Sequence, residues 1–129
     1  MLKETIICII IVIAIIFSNG LTQNYTRESV SELSSGLMTL RERITQKEVE
    51  NEKARKEIDG VYKQWEERHD KLAYFIEHDE LEKVETELTA IKSYIETEKY
   101  EESVSELDKS VFILKHIEDK YAFNLQNIF

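Results

Sequence analysis

An all-α protein is what this 129-residue sequence predicts: an N-terminal transmembrane helix followed by an antiparallel up-down four-helix bundle. Three observations carry that expectation. There are no prolines and only three glycines, Gly20, Gly36 and Gly60, whereas strand-rich folds need Gly- and Pro-rich turns at short intervals. Residues 6–17 form an apolar run without one polar side chain. Beyond it, apolar residues recur at steps of three and four, the period of an amphipathic helix.

The first element is an anchor over residues 1–21. At about 1.5 Å per residue, positions 2–21 span roughly the 30 Å hydrocarbon core of a lipid bilayer. Lys3 precedes the apolar run and only Arg27 comes after it within ten residues, so the positive-inside bias favours a cytoplasmic N-terminus. The expected location is the cell membrane, single-pass, with the C-terminal domain extracytoplasmic. A signal peptide cleaved after Gly20 competes, since Ser18 and Gly20 are small residues at the right spacing. The weak basic region, and the continuity of the apolar segment with the helical body, favour a retained signal-anchor. Cys8 lies inside the apolar run and reads as a small buried hydrophobe, not as a lipidation site.

The exported body, residues 22–129, divides into four helices of about 26–44, 48–76, 80–96 and 99–120. Thr26 is the expected cap of the first, whose stripe is Val30, Leu33, Leu37, Leu40 and Ile44. Thr45 and Glu48 match a capping box, which places a turn before the second helix; one continuous helix is the alternative. The second stripe is Ala54, Ile58, Val61, Trp65 and Leu72, flanked by the pairs Glu52/Lys56, Asp59/Lys63 and Glu67/Lys71 at i,i+4. Gly60 inside this helix suggests a bend or a close helix contact. At 29 residues the second helix would outrun the first by roughly 15 Å, unless it bends or the anchor continues into the first. Asp79 opens the third helix as a cap, and its stripe is Leu81, Val84, Leu88, Ile91 and Ile95. The fourth stripe is Tyr100, Val104, Leu107, Val111, Leu114 and Ile117. The tail, residues 121–129, is apolar and aromatic without helical spacing, and should be packed against something.

Composition excludes some functions. The formal net charge is −9, which argues against nucleic acid as a partner, because phosphate binding needs clustered cations. Acids concentrate in residues 77–106, with eleven acids against three bases. Such a run is usually a solvated face, and otherwise a docking face for a basic partner or for weakly held divalent cations. No nucleophile elbow, phosphate-cradling glycine loop or Cys–His pair is present, so catalysis is not expected and no cofactor is implied. Glu66 and His69 have the spacing of a di-iron bundle ligand pair, but no second copy accompanies them. The richest candidate set is His78, Asp79, Glu80 and His116, which an up-down topology brings to one pole as a low-probability metal site. The same pole supplies the interaction candidates Glu77, His78, Asp79, Leu125, Ile128 and Phe129.

Trp65, then Phe75-Ile76-Glu77-His78-Asp79-Glu80-Leu81-Glu82, then Leu88, Tyr94-Ile95, Leu107, Leu114 and His116-Ile117, ending in Asn127-Ile128-Phe129, together resemble a bacterial domain-of-unknown-function family. Its members look like small single-pass proteins, mainly from Gram-positive spore-formers, with an N-terminal anchor and an exported helical domain. The resemblance implies a retained anchor and no known activity, substrate or cofactor. The expected function is therefore a membrane-anchored, non-enzymatic interaction or scaffold module whose partner is another membrane or envelope protein; homo-oligomers fit the same reading. The alternatives are a metal-dependent envelope hydrolase built on His78, Asp79, Glu80 and His116, and an accessory ligand-sensing subunit of a membrane partner.

Overall fold

A computed structural model describes residues 1–47 and 50–122. It contains four helices: α1 (Leu2–Thr45), α2 (Asn51–Leu72), α3 (His78–Glu96) and α4 (Tyr100–Ala122). Each packs on its neighbour in sequence and α4 closes onto α1, so the four form an up-down ring of antiparallel neighbours. The fold class is the one the sequence predicts.

α1 differs from the expectation in one respect. It does not start at Thr26 but runs without a break from Leu2, through Gly20 and Leu21, to Thr45. Thr26 is mid-helix and buried, and its hydroxyl donates to the Thr22 carbonyl at 2.8 Å instead of capping an N-terminus. Among the described residues α1 is the one helix long and apolar enough to cross a membrane, and none of its apolar window is buried. The second half supplies Val30, Leu33, Leu37, Leu40 and Ile44 to the core.

The turn into α2 falls where the sequence placed one, but by other means. Thr45 ends α1, donating to the Glu42 carbonyl at 2.9 Å, and Glu50, not Thr45, is the N-cap of α2; Glu48, the other half of the expected capping box, lies outside the described residues. Lys47 takes a left-handed conformation (φ 57°), which terminates the helix as a glycine ordinarily would. Glu98 (φ 58°) does the same between α3 and α4.

α2 ends at Leu72, short of the expected 76. Tyr74 and Phe75 tighten to i,i+3 bonds with Lys71 and Leu72, and Ile76 turns back into the core to close its end. Ile76 lies one helical turn from Leu72, so the sequence stripe continued although the helix did not. The shorter α2 and the longer α1 remove the expected 15 Å mismatch. α2 runs through Gly60 without a break, and a Cβ added there would meet no atom within 4 Å; the close approach is at Gly36 of α1, where an added Cβ would lie 2.9 Å from Val61 Cγ2.

On α4 the core positions are Ser103, Leu107, Ser110, Leu114 and Ile117, while Val104 and Val111 sit at the flank. The two serines are tolerated inside because each hydroxyl bonds a carbonyl of the preceding turn, Ser103 to Tyr100 at 2.7 Å and Ser110 to Glu106 at 2.9 Å. Their small volume admits the neighbouring helices closely.

Candidate functional site

Several places bring polar or aromatic side chains of different helices together. The first is the pole beside the apolar half of α1, built by the α2–α3 turn and the end of α4. Gln23 of α1 contacts the Ala122 carbonyl (3.4 Å), which fixes α4's end to this level. The Glu77 backbone N–H donates to the Tyr121 hydroxyl at 2.8 Å, so α4 caps α3 across the bundle. Glu77, not Asp79, is the N-cap of α3, and its side chain makes no capping bond. Lys120 reaches Glu80 Oε1 at 3.3 Å and Glu77 Oε2 at 3.5 Å. The hydrogen bond to Glu80 raises the Lys120 ammonium above its ordinary value.

On the α1–α2 side of this pole, Tyr25 stands edge-on to Phe75 with ring centroids 6.3 Å apart. The Lys71 ammonium lies 4.3 Å from its ring centroid and the Arg68 guanidinium 5.5 Å. Arg68 also donates to Ser29 Oγ at 2.9 Å and pairs with Glu32.

The sequence-predicted residues are not assembled into a metal site. His78 and Asp79 are exposed in the first turn of α3, and His116 is exposed on α4. Glu80 is buried, but its carboxylate turns to Lys120 and, at 4.0 Å, to Lys83. Among the described residues no group of three His, Cys, Asp or Glu side chains is placed to hold a metal ion. His69 packs edge-on against Trp65 with ring centroids 5.5 Å apart, while Glu66 is exposed. Leu125, Ile128 and Phe129 lie outside the described residues.

The second place is the α3–α4 seam, which the sequence reading missed. Glu87 and Glu106 face each other with Lys109 between them, at 3.6 Å from Glu87 Oε1 and 3.4 Å from Glu106 Oε1. Burial, together with a hydrogen bond to Glu106, pushes the Glu87 carboxyl up to about 7. The same hydrogen bond and the Lys109 charge hold Glu106 below the ordinary carboxylate value. Glu87 is therefore the carboxyl of the pair that keeps its proton to the higher pH. Nothing in the spacing of two glutamates nineteen residues apart announces this; it depends on the register of α3 against α4.

At the opposite pole a groove of about 820 Å³ lies between the end of α1 and the α3–α4 turn. Ile44, Tyr100 and Val104 line it, with Lys47, Lys99 and Glu101 at its edge. It holds no nucleophile paired with a base. Tyr100 hydrogen-bonds Asn51 Oδ1 at 2.8 Å and Arg55 donates to the Glu96 carbonyl at 3.0 Å, both structural ties between helices.

Comparison with known proteins adds one relationship. No curated protein and no solved structure matches the chain. Residues 21–128 match DUF4363, a domain of unknown function. That span takes in the bundle half of α1 and all of α2, α3 and α4, with the pole and the Glu87–Glu106 seam inside it; the chain belongs to this family.

Proposed function

We propose that this protein is a membrane-anchored, non-enzymatic interaction module standing on the outer face of the cytoplasmic membrane. One observation carries the reading: α1 is a single helix whose first half is apolar and unburied while its second half is a quarter of the bundle. An apolar surface of that length is a liability in water and suits a bilayer. The peptide bond after Gly20 lies inside the helix, which supports a retained anchor over a cleaved leader. Aromatic and charged side chains tie the turns together without forming a nucleophile–base pair or a metal-ligand group among the described residues, which favours recognition over catalysis.

The partner is a membrane or envelope protein met from the side. The exposed carboxylates Glu82, Glu85, Glu101 and Glu102 of α3 and α4 suit a basic surface on it. Membranes from the native host test the anchor: the protein keeps Met1 or Leu2 and stays in the membrane through high-salt washing. A soluble form beginning at Leu21 refutes it. Crosslinking and subsequent pull-down test the interaction. Reversing Glu82 and Glu85 to Lys is expected to abolish capture with helicity unchanged, and undiminished capture would move the interface off this face.

A further inference from the structure

The apolar half of α1 fixes the height of everything packed against its other half. Tyr25 lies four residues beyond Leu21, the last residue of the anchor segment, and so about 6 Å beyond the hydrocarbon edge. The headgroup layer on each side of a bilayer is about 5–8 Å deep. Phe75 of the α2–α3 turn packs on Tyr25, and Ala122 at the end of α4 meets Gln23. The lower rim of the bundle therefore lies at headgroup depth and not above it.

At that rim one aromatic has no partner among the described residues. Tyr25 and Phe75 pack together and the Tyr121 hydroxyl is taken by Glu77, whereas Tyr74, at the tip of the turn, is 89% exposed. Among the described residues of the bundle it is the most exposed large hydrophobic, ahead of Phe112 on the flank of α4. Tyrosine carries an apolar ring with a polar tip and concentrates at the boundary between lipid and water.

We propose that the α2–α3 turn is a lipid-contacting surface, with the Tyr74 ring seated in the headgroup layer as a second foothold beside the α1 anchor. The nearby charge is mixed. Asp70, Glu77, His78 and Asp79 are exposed around the turn, and the cations Arg27, Lys71 and Lys120 lie at the same level, Lys71 against Tyr25 and Lys120 against Glu77 and Glu80. A rim carrying both signs of charge suits zwitterionic headgroups. Two points of contact, one through the bilayer and one on it, hold the bundle upright where a lone helix would let it tilt.

This inference rests on the anchor reading, and the test separates the two. Nitroxide labels are attached to the full chain in phosphatidylcholine vesicles, at native Cys8, at Tyr74→Cys and at Lys99→Cys, the last two in a Cys8→Ser background. Cys8 and Tyr74 are both exposed, so labelling leaves the core intact. Collision with oxygen, which concentrates in lipid, is compared with collision with a water-soluble nickel chelate. The expected result is strong oxygen access at 8, free nickel access at 99 in the outer turn, and a several-fold lower nickel collision rate at 74 than at 99. If 8 reads lipid while 74 reads like 99, the foothold is refuted and the anchor stands. Shielding of 74 from oxygen and nickel alike would mark a protein contact there and also refute it. Nickel access at 8 would remove the anchor and the foothold together.

Discussion

The seam between α1 and α2 and the seam between α3 and α4 are held by different means. At the first, Gly36 lets Val61 approach to within a few ångströms, and the charges that cross it are of opposite sign, Arg43 with Glu57 and Arg68 with Glu32. At the second, two glutamates meet across the interface, and one lysine and one retained proton reconcile them. The difference comes from the sequence: residues 41–72 carry nine bases and nine acids, whereas residues 77–106 carry eleven acids and three bases. A seam built from the acid-rich stretch must place like charges near each other. It therefore responds to pH near neutrality.

The largest expected effect tests whether both seams belong to one cooperative unit. Trp65 is fully buried on α2, and Trp65→Ala should cost about 3–5 kcal/mol. Thermal or urea unfolding of the variant should remain a single transition; two separated transitions would mean that the seams unfold independently. Next is the steric seam. Gly36→Val places a branched side chain against Val61 and should cost about 1–3 kcal/mol by overpacking, at any pH between 5 and 8.

The Glu87–Glu106 seam should give a smaller change with a pH signature. Glu87 titrates at about 7 in the fold and near the ordinary carboxylate value when unfolded. Between those values the unfolded chain releases its proton first, so stability falls as pH rises from about 4.5 through 7. Glu106 is shifted downward, and its contribution is lost only at more acid pH. Glu87→Gln should remove the loss, flattening the stability profile between pH 5 and 8 and leaving the variant about 1 kcal/mol more stable than the parent at pH 8, well under the unscreened value because Lys109 and solvent weaken the penalty. An unchanged pH profile would erase the contrast between the seams. The smallest effect is Gly60→Ala. No atom lies within 4 Å of the added methyl group, so the helix should gain about 0.5–1 kcal/mol, opposite in sign to the change at Gly36. A loss would place Gly60 in a contact.

Much of the fold was legible because hydrophobic periodicity is a direct consequence of helix geometry. Leu33, Leu37, Trp65, Leu88 and Leu107 all lie where their spacing put them. Ser103 and Ser110 were missed because a stripe read by polarity passes over a hydroxyl, although bonding to the preceding turn makes it an acceptable core group. Thr45 and Asp79 misled for a related reason: side chains suited to capping also occur at helix C-termini and inside first turns. The candidate site was less legible. Four potential ligands near two turns suggested a metal pole, but Glu80 is answered by Lys120, forty residues away, and that pairing depends on how far α4 slides along α3.

The unbroken course of α1 also limits how far the protein can act. With no linker between the apolar segment and the bundle, the domain cannot sweep a volume as a tethered head would. In the anchored state proposed above, the rise of about 36 Å from Leu21 to Thr45 is the height to which the domain extends from the bilayer. A partner would have to bring its own surface within that shell. For the membrane partner proposed above, encounters become a search in two dimensions, in which both molecules diffuse within the same membrane and meet with a nearly fixed mutual orientation.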